Sequence, residues 1–157
     1  MTVRTIADEL ARVPGLDRLG RPHLETISGC GTTAGFAAGE YLFREDEQAD
    51  SFYVIRHGTV SLEVHTPQGS PIVIETLHDG ELVGWSWLFE PYRWHFDARA
   101  TESTRLLAFD GACLRGKCEA DPALGYLLMQ RFVPVIVERL QATRVRLLDV
   151  YGPPREL

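Results

Sequence analysis

The sequence has no long hydrophobic run and no cluster of basic residues. No apolar stretch approaches the ~20 residues of a membrane-spanning helix, and the N-terminus lacks the apolar core of a signal peptide. Sixteen basic residues stand against twenty-two acidic ones, which gives a formal net charge of −6. This charge argues against a surface built for nucleic acid or for an anionic membrane. We therefore expect a cytoplasmic protein that binds neither DNA nor a membrane directly.

Motifs for catalysis and for metal binding are also missing. The five histidines are scattered and form no His-x-His or His-x-x-x-His pair, so the sequence predicts no metal site. It contains no nucleophile elbow, no Walker loop and no catalytic dyad. We expect no catalytic residues and no enzymatic activity.

Cysteine is scarce, and the three that occur form no recognisable set. Cys30, Cys113 and Cys118 are odd in number, and their spacing matches no common zinc or iron–sulfur pattern. We expect three reduced and mostly buried thiols, as is usual for a cytoplasmic protein.

Apolar periodicity and turn residues divide the chain into three structured parts. The length of 157 residues and a hydrophobic share of 45% are typical of one globular domain. Helical patterns occupy residues 1–31 and 110–150, and short β runs separated by turn residues occupy 32–109, before a tail at 151–157. Pro134 is expected to kink or divide the C-terminal helix region. These patterns predict a mainly β fold with flanking helices.

The segment from Gly80 to Ala100 contains a short strand, one helical turn, a proline-containing loop and a second strand. This order resembles the phosphate-binding cassette of the cyclic-nucleotide-binding domain family, and in particular the effector domain of Crp/Fnr-type regulators. The resemblance extends to residues 38–45, which match a first hairpin segment, and to 52–60, which match the next two strands. It implies a jelly-roll-like antiparallel β-roll with N-terminal helices and a long C-terminal helix.

The two polar anchors of that cassette are replaced here. In the family, a Glu holds the ribose, an Arg pairs with the phosphate, and the N–H groups of a helix start bind the phosphate. The resemblance places Trp85 at the Glu position and Trp94 at the Arg position. Removing one partner of a buried charged contact costs about 2–5 kcal/mol, and tenfold in affinity is about 1.4 kcal/mol. Cyclic AMP is therefore expected to bind weakly or not at all. The candidate ligand-binding residues of this degenerate cassette are Gly84, Trp85, Ser86, Trp87, Trp94, His95 and, in the C-terminal helix, Thr143.

The strand over residues 93–100 alternates strictly between polar and apolar side chains. Because successive strand residues point to opposite faces, Trp94 and Phe96 share the apolar side, and Arg93 and His95 share the polar side. A register slipped by one residue would turn Arg93 inward and expose both aromatic side chains. The alternation thus favours an inward Trp94.

Two uses of the altered pocket follow from the three indoles. In the first, Trp85, Trp87 and Trp94 fill the cavity as part of the hydrophobic core. In the second, the same three side chains form an aromatic box for a different small molecule. The first hypothesis for function is a ligand-sensing regulatory domain that signals through its C-terminal helix to a partner. The alternative is a protein-interaction or accessory subunit whose pocket is filled by tryptophan.

Five residues of the C-terminal helix, four of them apolar, recur at spacings of four and three, as in paired helices. They are Ile136, Leu140, Thr143, Leu147 and Val150. The corresponding helix of cyclic-AMP receptor proteins forms the dimer, so the resemblance implies a homodimer. Only nine residues follow Leu148, too few for a helix-turn-helix domain. The sequence predicts a stand-alone domain of this family.

Overall fold

A computed structural model describes the backbone of residues 4–151 and the side chains of residues 4–145. Four α-helices are present in this part of the chain, two before the strands and two after them. They are α1 (Ile6–Leu10), α2 (Arg21–Ser28), α3 (Gly111–Ala120) and α4 (Pro122–Tyr151). Tyr151, the first residue of the predicted tail at 151–157, is the last residue of α4, and residues 152–157 lie outside the described residues.

Eight antiparallel strands lie between α2 and α3. They are β1 (Gly31–Phe36), β2 (Tyr41–Phe43), β3 (Ser51–His57), β4 (Val60–Val64), β5 (Ile72–Leu77), β6 (Leu82–Val83), β7 (Asp97–Ala100) and β8 (Thr104–Asp110). They form two four-stranded sheets, in the orders β1-β8-β3-β6 and β2-β7-β4-β5. The predicted antiparallel β-roll with flanking helices is confirmed.

The strands pack their apolar side chains into one main hydrophobic core, and β4 is buried along almost its whole length. Leu62 of β4 faces its register partner Ala98 of β7, and both side chains are buried in the main hydrophobic core. Phe52 and Phe109, in neighbouring strands, stack with ring centroids 4.7 Å apart. Phe132 of α4 meets Phe52 edge-on, so that the long helix closes one side of this core.

The two C-terminal helices lie within the predicted helical range 110–150, apart from the last residue of α4. The Asp110 carboxylate accepts a hydrogen bond from the Cys113 N–H at 2.8 Å and caps α3, while Pro122 occupies the first turn of α4. Helix α4 continues through Pro134 and is not divided there. Because proline has no N–H group, the Gln130 carbonyl, one turn before Pro134, has no hydrogen-bond donor within the helix. Both residues are exposed, so water can donate to that carbonyl. Within residues 4–151, no helix is both long and apolar enough to cross a bilayer.

Cys30 and Cys113 form a disulfide, with their Cα atoms 5.8 Å apart. Cys118, the third cysteine in the described part of the chain, is free. The expectation of three reduced thiols is therefore wrong. The paired cysteines are 83 residues apart in sequence, and only the fold brings them together. The Asp110 N–H, at the start of α3, donates to the Cys30 carbonyl at 2.9 Å and so places Cys113 beside Cys30. Sequence spacing alone could not reveal this pairing.

Candidate functional site

The segment that resembles a phosphate-binding cassette begins at the end of β6. Gly84 has a φ of +93°, a conformation that favours glycine, and a 3-10 turn over Ser86–Leu88 follows. A Cβ atom built at Gly84 would lie only 2.6 Å from Cη2 of Trp94. The Trp94 indole therefore lies directly against the backbone at the start of this turn, where the family resemblance places the cyclic phosphate.

Trp94 points into the roll, as the alternation predicts. Its side chain is 3% exposed, and its ring centroid lies 3.6 Å from that of Phe43 in β2. Backbone hydrogen bonds fix the orientation, since the Asp46 N–H donates to the Trp94 carbonyl and the Trp94 N–H donates to the Glu47 carbonyl. Arg93 is exposed and donates from Nη1 to the Asp46 carbonyl at 2.7 Å. The slipped register, with Arg93 inward, does not occur.

Trp85 lies at the edge of the same aromatic group and is half-buried. Its ring meets Phe96 edge-on at 5.5 Å, and Phe96 lies 6.2 Å from Phe43, so ring contacts continue from Trp85 to Trp94. The Arg139 guanidinium of α4 lies over the Trp85 ring, 5.2 Å from its centroid. This cation–π geometry joins the long helix to the cassette.

Arg139 is the main polar link between α4 and the roll, and the sequence analysis does not select it as a site residue. The side chain is 7% exposed, its Nη2 donates to the Leu82 carbonyl, and its Nε lies 3.5 Å from a carboxylate oxygen of Glu75. Burial lowers the pKa of Arg139 from its ordinary value, and the negative charge of Glu75 acts in the opposite direction. An arginine at 139, between the apolar residues Val137 and Leu140, is the sequence signal that could have identified it.

Trp87 lies in a different place from Trp94, within the aromatic core beneath α4. It is fully buried, stacks on Phe52 at 4.9 Å and meets Phe132 edge-on at 5.6 Å. Its Nε1 has no hydrogen-bond partner among the described residues. Arg115 of α3 donates to the Trp87 carbonyl at 2.5 Å and lies over the Tyr92 ring at 4.1 Å. The C-terminal helices therefore hold the cassette at two points, Trp85 and Trp87.

The other predicted site residues occupy varied positions. Ser86 is buried within the 3-10 turn. His95 is exposed, in the segment 93–96, which the sequence predicts as strand but which precedes β7. Thr143 is half-buried and donates to the Arg139 carbonyl within α4 at 2.9 Å, so its hydroxyl already has a partner in its own helix. The structure thus groups Gly84, Trp85 and Trp94 with Arg139.

A polar network lies on the other face of β7, and the sequence analysis missed it. Glu63 of β4 is fully buried and accepts hydrogen bonds from Ser61 at 2.8 Å and from Nη2 of Arg99 at 2.8 Å. Asp97, 3% exposed as a side chain, lies 2.8 Å from Nδ1 of His65. The isolated Glu63 within an otherwise buried strand was the available signal. Among the described residues, no group of three or more His, Cys, Asp or Glu is arranged to hold a metal ion.

The predicted dimer seam on α4 is partly described. Leu140 is 60% exposed, whereas Ile136 and Thr143 are half-buried. The side chains of Leu147 and Val150 lie outside the described residues. Several large apolar side chains are exposed along α4. They are Tyr126, Val133, Val137, Leu140 and Val145.

Comparison with known protein families decides the identity of this roll. The family model described as "Cyclic nucleotide-binding domain" matches residues 34–121, more than half of the chain. The chain belongs to this family. The matched residues extend from β1 to the end of α3 and include the whole cassette segment.

Relatives of this cyclic-nucleotide-binding domain are regulators and solved domains of the same fold. The chain is 24% identical over 148 residues to the HTH-type transcriptional regulator Cmr of Mycobacterium tuberculosis, covering 92% of the chain and 59% of the regulator. It is 27% identical to a structure from Geobacter metallireducens described as a candidate cyclic nucleotide-binding protein, with a TM-score of 0.77, covering 87% of the chain and 99% of that structure. A cyclic nucleotide-binding domain from Methylobacillus flagellatus is 15% identical to the chain, with a TM-score of 0.78. That comparison covers 97% of this chain and 84% of the Methylobacillus domain. The chain spans little more than half the length of the curated regulator it matches.

Proposed function

We propose that this chain is a non-enzymatic regulatory domain whose cassette pocket does not bind cyclic nucleotides tightly. The contact between Trp94 and Gly84 carries this proposal. The indole occupies the volume beside the helical turn, and it offers no positive charge to a phosphate. Trp85, at the position of the ribose Glu, offers no acceptor to a hydroxyl group. Each lost anchor weakens binding by tens of fold or more.

The same contacts supply a path for regulation. Arg139 bonds to the Leu82 carbonyl and lies over Trp85, so a change in the cassette would alter the fit of α4 against the roll. We infer that the domain transmits a ligand signal through α4 to a protein partner. We also propose that it acts in the cytoplasm through protein contacts, without binding DNA or membranes directly, in keeping with its formal charge of −6.

Titration of the wild-type protein with cyclic AMP and cyclic GMP tests the closed pocket. Trp85 and Trp94 should report any occupant of the cassette, because ligand contact changes the surroundings of an indole. We expect no saturable change in tryptophan fluorescence up to about 1 mM ligand. N-acetyltryptophanamide at matched absorbance corrects for absorption by the nucleotide. A saturable change in the micromolar range would contradict the proposal.

We further propose that the exposed apolar residues of α4 form a homodimer interface. Val137 and Leu140 are three positions apart, on one side of the helix, and are 47% and 60% exposed. Such a stripe is typical of paired helices. The wild-type protein should therefore have twice the 17.6 kDa mass of the chain by light scattering.

The V137E/L140E variant should reduce the measured mass to that of one chain, because the charges would be buried at the interface. The F89E variant is the matched control. Phe89 is also an exposed apolar residue, 45% accessible, but it lies in the cassette loop, so this variant should remain dimeric. A monomeric wild-type protein, or a dimer that persists in V137E/L140E, would contradict the interface.

A second candidate function is a protein-interaction or accessory subunit that binds no small ligand. The same buried Trp94 favours it, because a filled roll needs no ligand for stability. The two candidates differ in whether any small molecule binds to the folded chain. A ligand outside the cassette would favour the regulatory domain.

A further inference from the structure

A separate cleft lies beside the roll, between α4 and two turns. It has a volume of about 260 Å³. Its walls are the turn at residues 14–16, the turn and β6 residues at 79–82, and one side of α4 from 131 to 139. We refer to it as the α4 cleft. It does not include Gly84 or Trp94, but it shares Arg139 with the surroundings of Trp85.

Two arginines of α4 line this cleft, and each has a buried nitrogen without a hydrogen-bond partner among the described residues. These atoms are Nη1 of Arg139 and Nε of Arg131. The Arg139 side chain is more than nine-tenths buried, and its other nitrogens are used by Leu82 and Glu75. A buried charged donor without an acceptor is unfavourable. Both nitrogens are shielded from solvent, so a carboxylate in the cleft reaches them when the two arginine side chains turn toward it.

Carboxylates line the same cleft and restrict the charge of an occupant. They belong to Glu75, Asp79, Glu81 and Glu138. With two guanidinium groups against four carboxylates, the lining carries a formal charge of −2. The net negative charge of the lining would repel an ion that carries only negative charge. An ion that carries only positive charge would leave the two arginine donors without an acceptor. A molecule that carries both charges satisfies both requirements.

The carboxylates are unequally available to such a molecule. Glu75 is paired with Arg139, the Asp79 carboxylate accepts the Gly58 N–H at 2.9 Å, and the Glu81 carboxylate accepts the His78 N–H at 2.6 Å. Glu138 is exposed at the rim, on the same helix as both arginines. Its position suits a cationic group at the outer end of a ligand whose carboxylate lies deeper, against Arg139.

We propose that the α4 cleft binds an α-amino acid with a basic side chain, whose one carboxylate and two cationic groups give it a net charge of about +1, opposite in sign to that of the lining. The ligand carboxylate accepts hydrogen bonds from Nη1 of Arg139 and Nε of Arg131, and the cationic side chain lies toward Glu138. The cleft is smaller than the ~300–1,000 Å³ typical of pockets for drug-sized ligands, which agrees with an amino-acid-sized occupant. Because the cleft has walls on α4, on the roll and on the N-terminal turn at residues 14–16, the ligand holds α4 in the position in which Arg139 contacts Trp85.

Calorimetric titration of the full chain with L-arginine and L-lysine tests this site. We expect saturable binding of one molecule per chain by at least one of these amino acids. Acetate carries only the carboxylate, and putrescine carries only cationic groups. We expect no saturable binding of either compound up to about 1 mM, because each can pair with only one kind of charged group in the cleft, the arginines or the carboxylates.

Two variants locate the binding in the α4 cleft without altering Arg139. R131M keeps an apolar stem of similar length but removes the donor, and E138Q removes the rim charge. Each should weaken binding by about tenfold or more. E47Q is the matched control, since Glu47 is exposed and lies near Trp94 on the cassette side, and its affinity should equal that of the wild type.

The absence of saturable binding by both amino acids would overturn the proposal. Equal binding of acetate or putrescine, or unchanged affinity in both R131M and E138Q, would overturn it as well. None of these results bears on the closed cassette, which the cyclic-nucleotide titration tests separately. A failure of this inference is therefore distinguishable from a failure of the proposed function.

Discussion

Replacing Trp87 with alanine is expected to lower the free energy of unfolding by about 3–5 kcal/mol. The Trp87 ring is fully buried and lies between Phe52 of the roll and Phe132 of α4. Its removal leaves a large cavity at the point where the helix meets the sheet, and a rigid aromatic core can collapse only partly into that space. Urea denaturation followed by far-UV circular dichroism measures the difference.

Two matched variants separate ring packing from hydrogen bonding at this position. W87F keeps an aromatic ring and removes Nε1, which has no partner among the described residues, so it should cost within about 1 kcal/mol. W85A removes an indole that is only half-buried and should cost less than W87A. If W87A were as stable as the wild type, or W87F as unstable as W87A, the assignment of Trp87 to the core would be wrong.

The second large effect is expected at the Glu63–Arg99 pair. R99A should lower the free energy of unfolding by about 3 kcal/mol, because it leaves the fully buried Glu63 carboxylate without its guanidinium partner. Ser61 would remain as a neutral donor, which compensates only part of a buried charge. Chemical denaturation at neutral pH measures this loss.

The E63Q/R99A double variant is the control for the charge itself. Glutamine at position 63 is neutral, so the double variant should recover part of the stability that R99A loses. R93A removes an exposed arginine from the strand segment that leads into β7 and should change stability by less than about 1 kcal/mol. A loss in R99A no larger than that in R93A would contradict the importance of the buried pair.

The strand pattern accounts for much of what the sequence predicted correctly. The alternation over residues 93–100 placed Trp94 inward correctly, but only Asp97–Ala100 of that segment form a strand, and Asp97, one of its polar residues, is buried. The helical pattern from residue 110 onward also corresponds to α3 and α4, because the apolar periodicity of a helix is a local property of the chain. Both signals are local, and neither depends on the rest of the fold.

The features that escaped prediction depend on tertiary contacts. A 3-10 turn of three residues has no useful period, so the sequence could not show that Trp87 lies apart from Trp85 and Trp94. Arg139 gains its role only because α4 passes over β6 and the cassette. The partner of Cys30 is 83 residues away, at the start of α3. Local patterns cannot assign contacts of this range.

The most direct test of the closed cassette restores its two polar anchors. In the W85E/W94R variant, the guanidinium at position 94 replaces the indole against Gly84, and the carboxylate at 85 lies near Arg139. Calorimetric titration with cyclic AMP should show saturable binding by this variant, at least about 30-fold tighter than by the wild-type protein. Circular dichroism and gel filtration confirm beforehand that the variant is folded. If the folded variant bound no better than the wild type, the two tryptophans would not be what closes the pocket, and the account would be wrong.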